Sequence, residues 1–215
     1  MQLILLSTIF TTLLLTANIT AVKIIAVGSN GIDAGILAYP FTFLISDVIS
    51  EVYGRRTTTK VIWLGFLANV IMITIIFLAG NIPPAIFWHE QESYDQILGS
   101  VPRIVIASML AYIISQNHDV LAFEMWRNLT RGRFLWFRNN ASTIVSQGVD
   151  TVIFVLVAFA GTYSNGEIWN MIWITYIFKV SIAVADTPLV YLVVYATRKN
   201  YQTLDTSSKV YNDLG

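Results

Sequence analysis

Ionisable and amide side chains recur at helical spacing inside runs that are otherwise apolar, and any chemistry this chain does must start there. In "RNNASTIVSQGVDTVIF", Arg138 to Phe154, the residues Asn140, Thr143, Gln147, Asp150 or Thr151, and Phe154 follow steps of three and four, one face of a helix. Further on, Tyr176, Lys179, Ala183 and Asp186 repeat the pattern. A charge at the centre of a bilayer costs roughly 2.5 to 3.5 kcal/mol on insertion scales, so such groups face a partner or a wet cavity. Two amides and a carboxylate stacked along one face need more hydrogen-bond partners than one neighbouring helix offers. Ser142 and Ser146, on another flank, have the spacing of small helix-packing contacts. Lys179 and Asp186 are too far apart along a helix to pair directly, and Lys179 is expected to pair with Asp150 or Asp47.

The remaining polar groups within apolar runs are Asn18, Lys23, Asp47, Glu51, Arg103, Gln116 and Asp119. Glu51 and Asp119 fall near run ends, where snorkelling or capping explains them as well as a site does. The ligand-facing set is read as Asp150, Gln147, Asn140, Asp47, Lys179 and Asn18; Arg103, Asp119, Glu51 and Asp186 are read as gate or helix-pinning residues. Pro188 in "DTP" removes a backbone donor and should loosen the helix beside Asp186. His89 and His118 lie near loops, no HExxH motif is present, and there are no cysteines, so neither a metal site nor a nucleophile can be nominated. An enzyme is not expected, nor is a cofactor.

The elements that must position these groups follow from composition. Hydrophobic residues make up 55% of the 215 and charged residues 12%, and the mean hydropathy is +0.64, all typical of an integral membrane protein. Apolar runs at about 3–22, 34–52, 60–80, 101–119, 141–161 and 168–196 predict six transmembrane helices in an all-α polytopic protein. The first run lacks a basic flank and a cleavage site and is read as a retained helix. One six-helix domain over 1–197 and a short tail over 198–215 leave too little chain outside the bilayer for a soluble catalytic domain. Thirteen Lys plus Arg balance thirteen Asp plus Glu, which gives no reason to expect a nucleic-acid partner. Ten of those cations, Arg55, Arg56, Lys60, Arg127, Arg131, Arg133, Arg138, Arg198, Lys199 and Lys209, fall on one side of a six-span chain. That side is expected to be cytoplasmic, with both termini inside.

Four motifs in this order carry a resemblance. "FTFLISDVISEVYG" (Phe41 to Gly54), "RIVIASMLAYIISQNHDVLAFEMWR" (Arg103 to Arg127), "RNNASTIVSQGVDTVIF" and "YIFKVSIAVADTPLVY" (Tyr176 to Tyr191) resemble the queuosine precursor transporter family, also called the vitamin uptake transporter family. The similarity runs from about Asn18 to Tyr195. It implies a bacterial inner-membrane protein of six helices that imports 7-cyano-7-deazaguanine, 7-aminomethyl-7-deazaguanine or both. It also implies an architecture similar to the substrate-binding subunits of energy-coupling-factor importers.

A deazaguanine presents two adjacent donors, N1–H and the exocyclic amine, beside the O6 acceptor. A carboxylate, Asp150 or Asp47, can accept both donors; Asn140, Gln147, Asn18 or Lys179 can donate to O6. Phe41, Phe43, Phe154, Tyr176 or Trp173 can stack on the faces. The pocket is expected between the first, second, fifth and sixth helices, and a cationic aminomethyl arm would suit Asp47 or Glu51. Expected partners are the small-molecule base, the lipid bilayer and, by default for a small membrane protein, a second copy in a homodimer. A binding subunit that needs an ATPase partner is the alternative.

Overall fold

A computed structural model describes residues 2–129 and 135–182, the side chains of 119–124, 126–129 and 135–143 excepted. The chain begins with α1 (Gln2–Thr20), apolar on every face. Thr8, Thr12 and Thr20 return their hydroxyls to carbonyls one turn back, which satisfies these groups within the helix.

A short antiparallel hairpin follows, β1 (Ile24–Val27) and β2 (Asn30–Asp33), with Ile24 opposite Asp33 and Val27 opposite Asn30. The hairpin is an addition to a mostly helical chain: "KIIAVGSNGID" alternates and turns at Gly28-Ser29, a strand-turn-strand signal too short to register as an apolar run. A 3-10 turn, η1 (Ala34–Leu37), leads into α2 (Tyr39–Tyr53). Pro40 sits in the first turn of α2, where a missing N–H costs nothing, and so fixes the helix start there rather than at 34. The 15 residues of α2 span about 22 Å, less than the ~30 Å of hydrocarbon.

Gly54, with φ +82°, is the only residue between α2 and α3 (Arg55–Asn81). A side chain would be strained in that conformation, and the one-residue reversal lays the two helices against each other. An acidic helix, α4 (Gln91–Leu98), interrupts what read as a loop. The long pair α5 (Val101–Leu129) and α6 (Leu135–Phe159) follows and extends into the arginine-bearing stretch expected to be a loop. Among the described residues a further helix, α7, runs over 165–182. Ser164 and Glu167 close its first turn reciprocally: the Ser164 N–H and hydroxyl donate to Glu167 Oε2 at 2.8 and 2.7 Å, and the Glu167 N–H donates to Ser164 Oγ at 3.4 Å. These donors hold the Glu167 carboxyl below its ordinary pKa.

Among the described residues, Gln2–Thr20, Arg55–Asn81 and Gln91–His118 are long and apolar enough to cross a membrane; Ile144–Phe159 is a shorter apolar helix. Their outward faces carry exposed Ile71, Ile75, Leu78, Ile106 and Leu156, as expected where lipid is the solvent. One core joins α5, α6 and α7 through Ile104, Ala107, Val155, Ala158, Phe159, Met171 and Ile172; another joins α1, α2 and α3 through Phe10, Ile49 and Val61. Arg103 fastens the first core at its end: Nε donates to the Val157 carbonyl at 2.7 Å and Nη2 to the Ala160 carbonyl at 2.5 Å, both at the C-terminus of α6.

The hairpin is anchored to α1 at Gly35, where a Cβ would lie 2.6 Å from the Ala17 carbonyl oxygen and 3.2 Å from Ala21 Cβ. Gly35→Ala should therefore destabilise the protein by about 1 to 3 kcal/mol. Its apparent melting temperature in detergent should fall, while Gly166→Ala, which meets open space, leaves it unchanged.

Candidate functional site

Between the α1–α2–α3 and α5–α6–α7 groups lies a cavity of about 510 Å³, within the range of small-molecule sites. Buried Ala21, Asp33, Gly35 and Ile36 line one end, so the hairpin and η1 close it; the exposed Asp47, Arg55, Thr59 and Gln116 line the other, which is the mouth. Every one of the six long segments contributes. The expected boundary of four helices is corrected by the presence of Thr58, Ile62 and Phe66 from α3 and Ser108, Tyr112 and Ser115 from α5.

The middle of the cavity is organised by one ion pair. Lys179 Nζ, on α7, lies 2.6 Å from Asp150 Oδ2, on α6, and the lysine is only 5% exposed. Of the two partners expected for Lys179, the structure selects Asp150. Ser115 Oγ donates to Asp150 Oδ1 at 3.4 Å. The ammonium also stands 4.6 Å from the centre of the Tyr39 ring, whose hydroxyl donates to Gln147 Oε1 at 2.7 Å. Tyr39 packs on Phe43 with ring centroids 4.2 Å apart. Gln147 thus has its carbonyl engaged and its amide nitrogen available as a donor. Four elements meet in this cluster, and each is fixed by the next.

Helical spacing alone placed Gln147, Asp150 and Phe154 on one face, and all three line the cavity. Ser146, read as a packing contact, lines it as well; the face is wider than a step of three and four suggests. Thr151 points away and returns its hydroxyl to the Gln147 carbonyl. Asn18 lines the cavity, but its amide nitrogen donates to Asn69 Oδ1 at 2.8 Å, and Asn69 in turn donates to the Gly65 carbonyl. It clamps α1 to α3. Asp47 lines the mouth, whereas Glu51 and Arg103 do not line the cavity. Of the aromatic candidates, Phe43 and Phe154 line it; Phe41, Trp173 and Tyr176 lie outside the lining. The side chains of Asn140 and Asp119, and Asp186 and the 198–215 tail altogether, lie outside the described residues.

Sequence reasoning passed over Asp33, Tyr39, Asn69, Ser115 and Thr175. Asp33 belongs to the connecting hairpin rather than to a spanning helix, and it lines the closed end. Burial pushes its carboxyl up to about 6, opposed by the Lys179 charge and by the backbone N–H groups of Asp33, Gly35 and Ile36. Thr175 is buried, and its hydroxyl has no partner among the described residues.

Two predictions follow from these charges. Lys179→Met and Asp150→Asn each leave a buried charge unpaired and should cost about 3 to 5 kcal/mol, read as a lower apparent melting temperature. The double variant should recover much of the loss. Asp33 titrates in the opposite sense to a salt-bridged acid: a folded-state pKa above the unfolded value favours folding only while the carboxyl is protonated, so its contribution is lost as pH rises through about 6. Asp33→Asn should be more stable than the wild type at pH 7.5, by about 2 to 3 kcal/mol, and the difference should vanish toward pH 4. A difference that did not depend on pH would contradict this assignment.

Residues 33–193 match the family described as "Putative vitamin uptake transporter". A "Probable queuosine precursor transporter" of Bacillus subtilis is 34% identical over 180 residues, 81% of this chain and 77% of the relative. A protein of the same name from Haemophilus influenzae is 27% identical over 156 residues, 70% of this chain and 63% of the relative. The "Queuosine precursor transporter" of Escherichia coli is also 27% identical over 156 residues, covering 66% of the relative. No solved structure matches significantly. The family match takes in Asp33, Tyr39, Gln147, Asp150 and Lys179 together, and the chain belongs to the vitamin uptake transporter family of multi-pass membrane proteins.

Proposed function

We propose that this protein imports deazaguanine precursors of queuosine, 7-cyano-7-deazaguanine and 7-aminomethyl-7-deazaguanine, across the bacterial inner membrane. The observation that carries this reading is the buried Lys179–Asp150 pair, with Gln147 and Tyr39, facing a cavity of about 510 Å³ between helices. The names of the relatives support it. Asp150 has lone pairs beyond those taken by Lys179 and Ser115, and accepts N1–H and the exocyclic amine. Gln147 donates its amide N–H to O6. Tyr39, Phe43 and Phe154 cover the faces of the base.

Six crossings and cytoplasmic termini put the mouth at Asp47 and Arg55 on the cytoplasmic side, so the arrangement is open inward and sealed outward by the hairpin and η1. In that frame η1 and α2 together make the second crossing, and α6 and α7 the fifth and part of the sixth. Three helices on either side of a polar centre is also the arrangement by which a substrate-binding subunit of an energy-coupling-factor importer would hold its ligand. Import requires the outer seal to open while the mouth closes, with the ligand exchanging partners between the two states.

The test is uptake of labelled precursor into cells unable to make it. Gln147→Ala and Asp150→Ala, at protein levels equal to the wild type, should each lower uptake at least about tenfold. Wild-type uptake by the Asp150 variant would refute the role of the carboxylate.

A further inference from the structure

Charge does not balance at the closed end of the cavity. Among the described residues lining that end and the middle of the cavity, two carboxylates, Asp33 and Asp150, share one ammonium, Lys179. Lys179 is committed to Asp150 at 2.6 Å, and both oxygens of Asp150 are engaged, one by Lys179 and the other by Ser115. Asp33 is left 5% exposed, with the backbone N–H groups of Asp33, Gly35 and Ile36 and the Lys179 charge, shared with Asp150, as its stabilising neighbours, and with a second cation lacking among the described lining residues of that end. In the same lining, Thr175 buries a hydroxyl that has no partner among the described residues. A buried acid that shares its cation with a second carboxylate, and a buried hydroxyl with no acceptor among the described residues, both leave interactions for a ligand to complete. A ligand that brings a cation and an acceptor would satisfy both.

We propose that Asp33 is a specificity-determining residue that receives a protonated primary amine carried on the substrate. This rests on the reading of the chain as an importer of deazaguanine bases and adds the residue that separates an aminomethyl arm from a nitrile. The base edge engages Asp150 and Gln147 in the middle of the cavity, and the arm extends toward the hairpin end, where Asp33 waits at the start of η1. The other acids that could have received the amine are worse placed. Asp47 stands at the exposed mouth, where water already solvates it and an added ammonium gains little, and Glu51 does not line the cavity. Because Asp33 is carried on the segment that seals the outer end, an amine bound there also ties the ligand to the seal.

Binding of the two bases to purified, detergent-solubilised protein tests this, by competition of each against labelled 7-cyano-7-deazaguanine. Asp33→Asn should weaken binding of the aminomethyl base at least about tenfold and leave the nitrile within about threefold. Asp33→Glu, which keeps the charge, should retain most of the aminomethyl affinity. The nitrile arm reports that the variant is folded. Equal weakening of both bases, or no change in either, would overturn the assignment while leaving the function standing. Failure of the wild type to bind either base would overturn the function and this assignment with it.

Discussion

The ion pair between Lys179 and Asp150 constrains everything around it. Neither charge is tolerable alone in a low-dielectric interior, so α6 and α7 must present these two residues to each other, and the Ala107, Ala158 and Met171 packing that brings the helices together serves that requirement. Tyr39 then comes into place from α2, held between the ammonium and Gln147. A membrane protein has little hydrophobic drive to fold helices together once they are in lipid, and buried polar contacts of this kind take over part of that role. The pair does for α6 and α7 what Asn18 and Asn69 do for α1 and α3.

The two halves of the molecule therefore meet across a polar centre rather than a dry one, and a cavity persists where a soluble protein would have packed side chains. Its two ends differ in kind. The mouth is made of helix ends and polar side chains that water can reach; the closed end is made of a hairpin and a 3-10 turn, pressed against α1 so tightly that only glycine fits at 35. Irregular backbone at such a place is tolerable because it is covered by protein and faces a cavity. It is also the part of the cavity wall with the fewest intrahelical bonds to break, which suits an element that moves when a transporter opens.

Much of the site was legible in the sequence because membrane burial makes polar residues conspicuous. The spacing of Gln147, Asp150 and Phe154 needed only the geometry of one helix, and Lys179 needed a carboxylate wherever it lay. Four apolar runs, at 3–22, 60–80, 101–119 and 141–161, correspond to α1, α3, α5 and α6, whereas the described part of the sixth ends at 182. What stayed hidden depended on contacts between elements. Asp33 looks like a loop residue, and Tyr39 like one more member of the second apolar run, until the hairpin folds back over the cavity, although an acid and a Tyr-Pro step flanking a short apolar stretch were a usable signal. Asn69 sits within a long apolar run with no second polar residue at helical spacing to draw the eye, and its role appears only when Asn18 is opposite. The second run divides into η1 and α2 for a local reason, Pro40 in the first turn of α2.

The central claim is that a carboxylate in the middle of this cavity reads the donor edge of a guanine-like base. The most direct measurement is the affinity of purified protein for 7-cyano-7-deazaguanine and for the same base without its exocyclic amine. Loss of one of the two donors should weaken binding by about tenfold to a hundredfold in the wild type, and that discrimination should collapse in Asp150→Asn. Equal affinity of the wild type for the two bases would contradict the account.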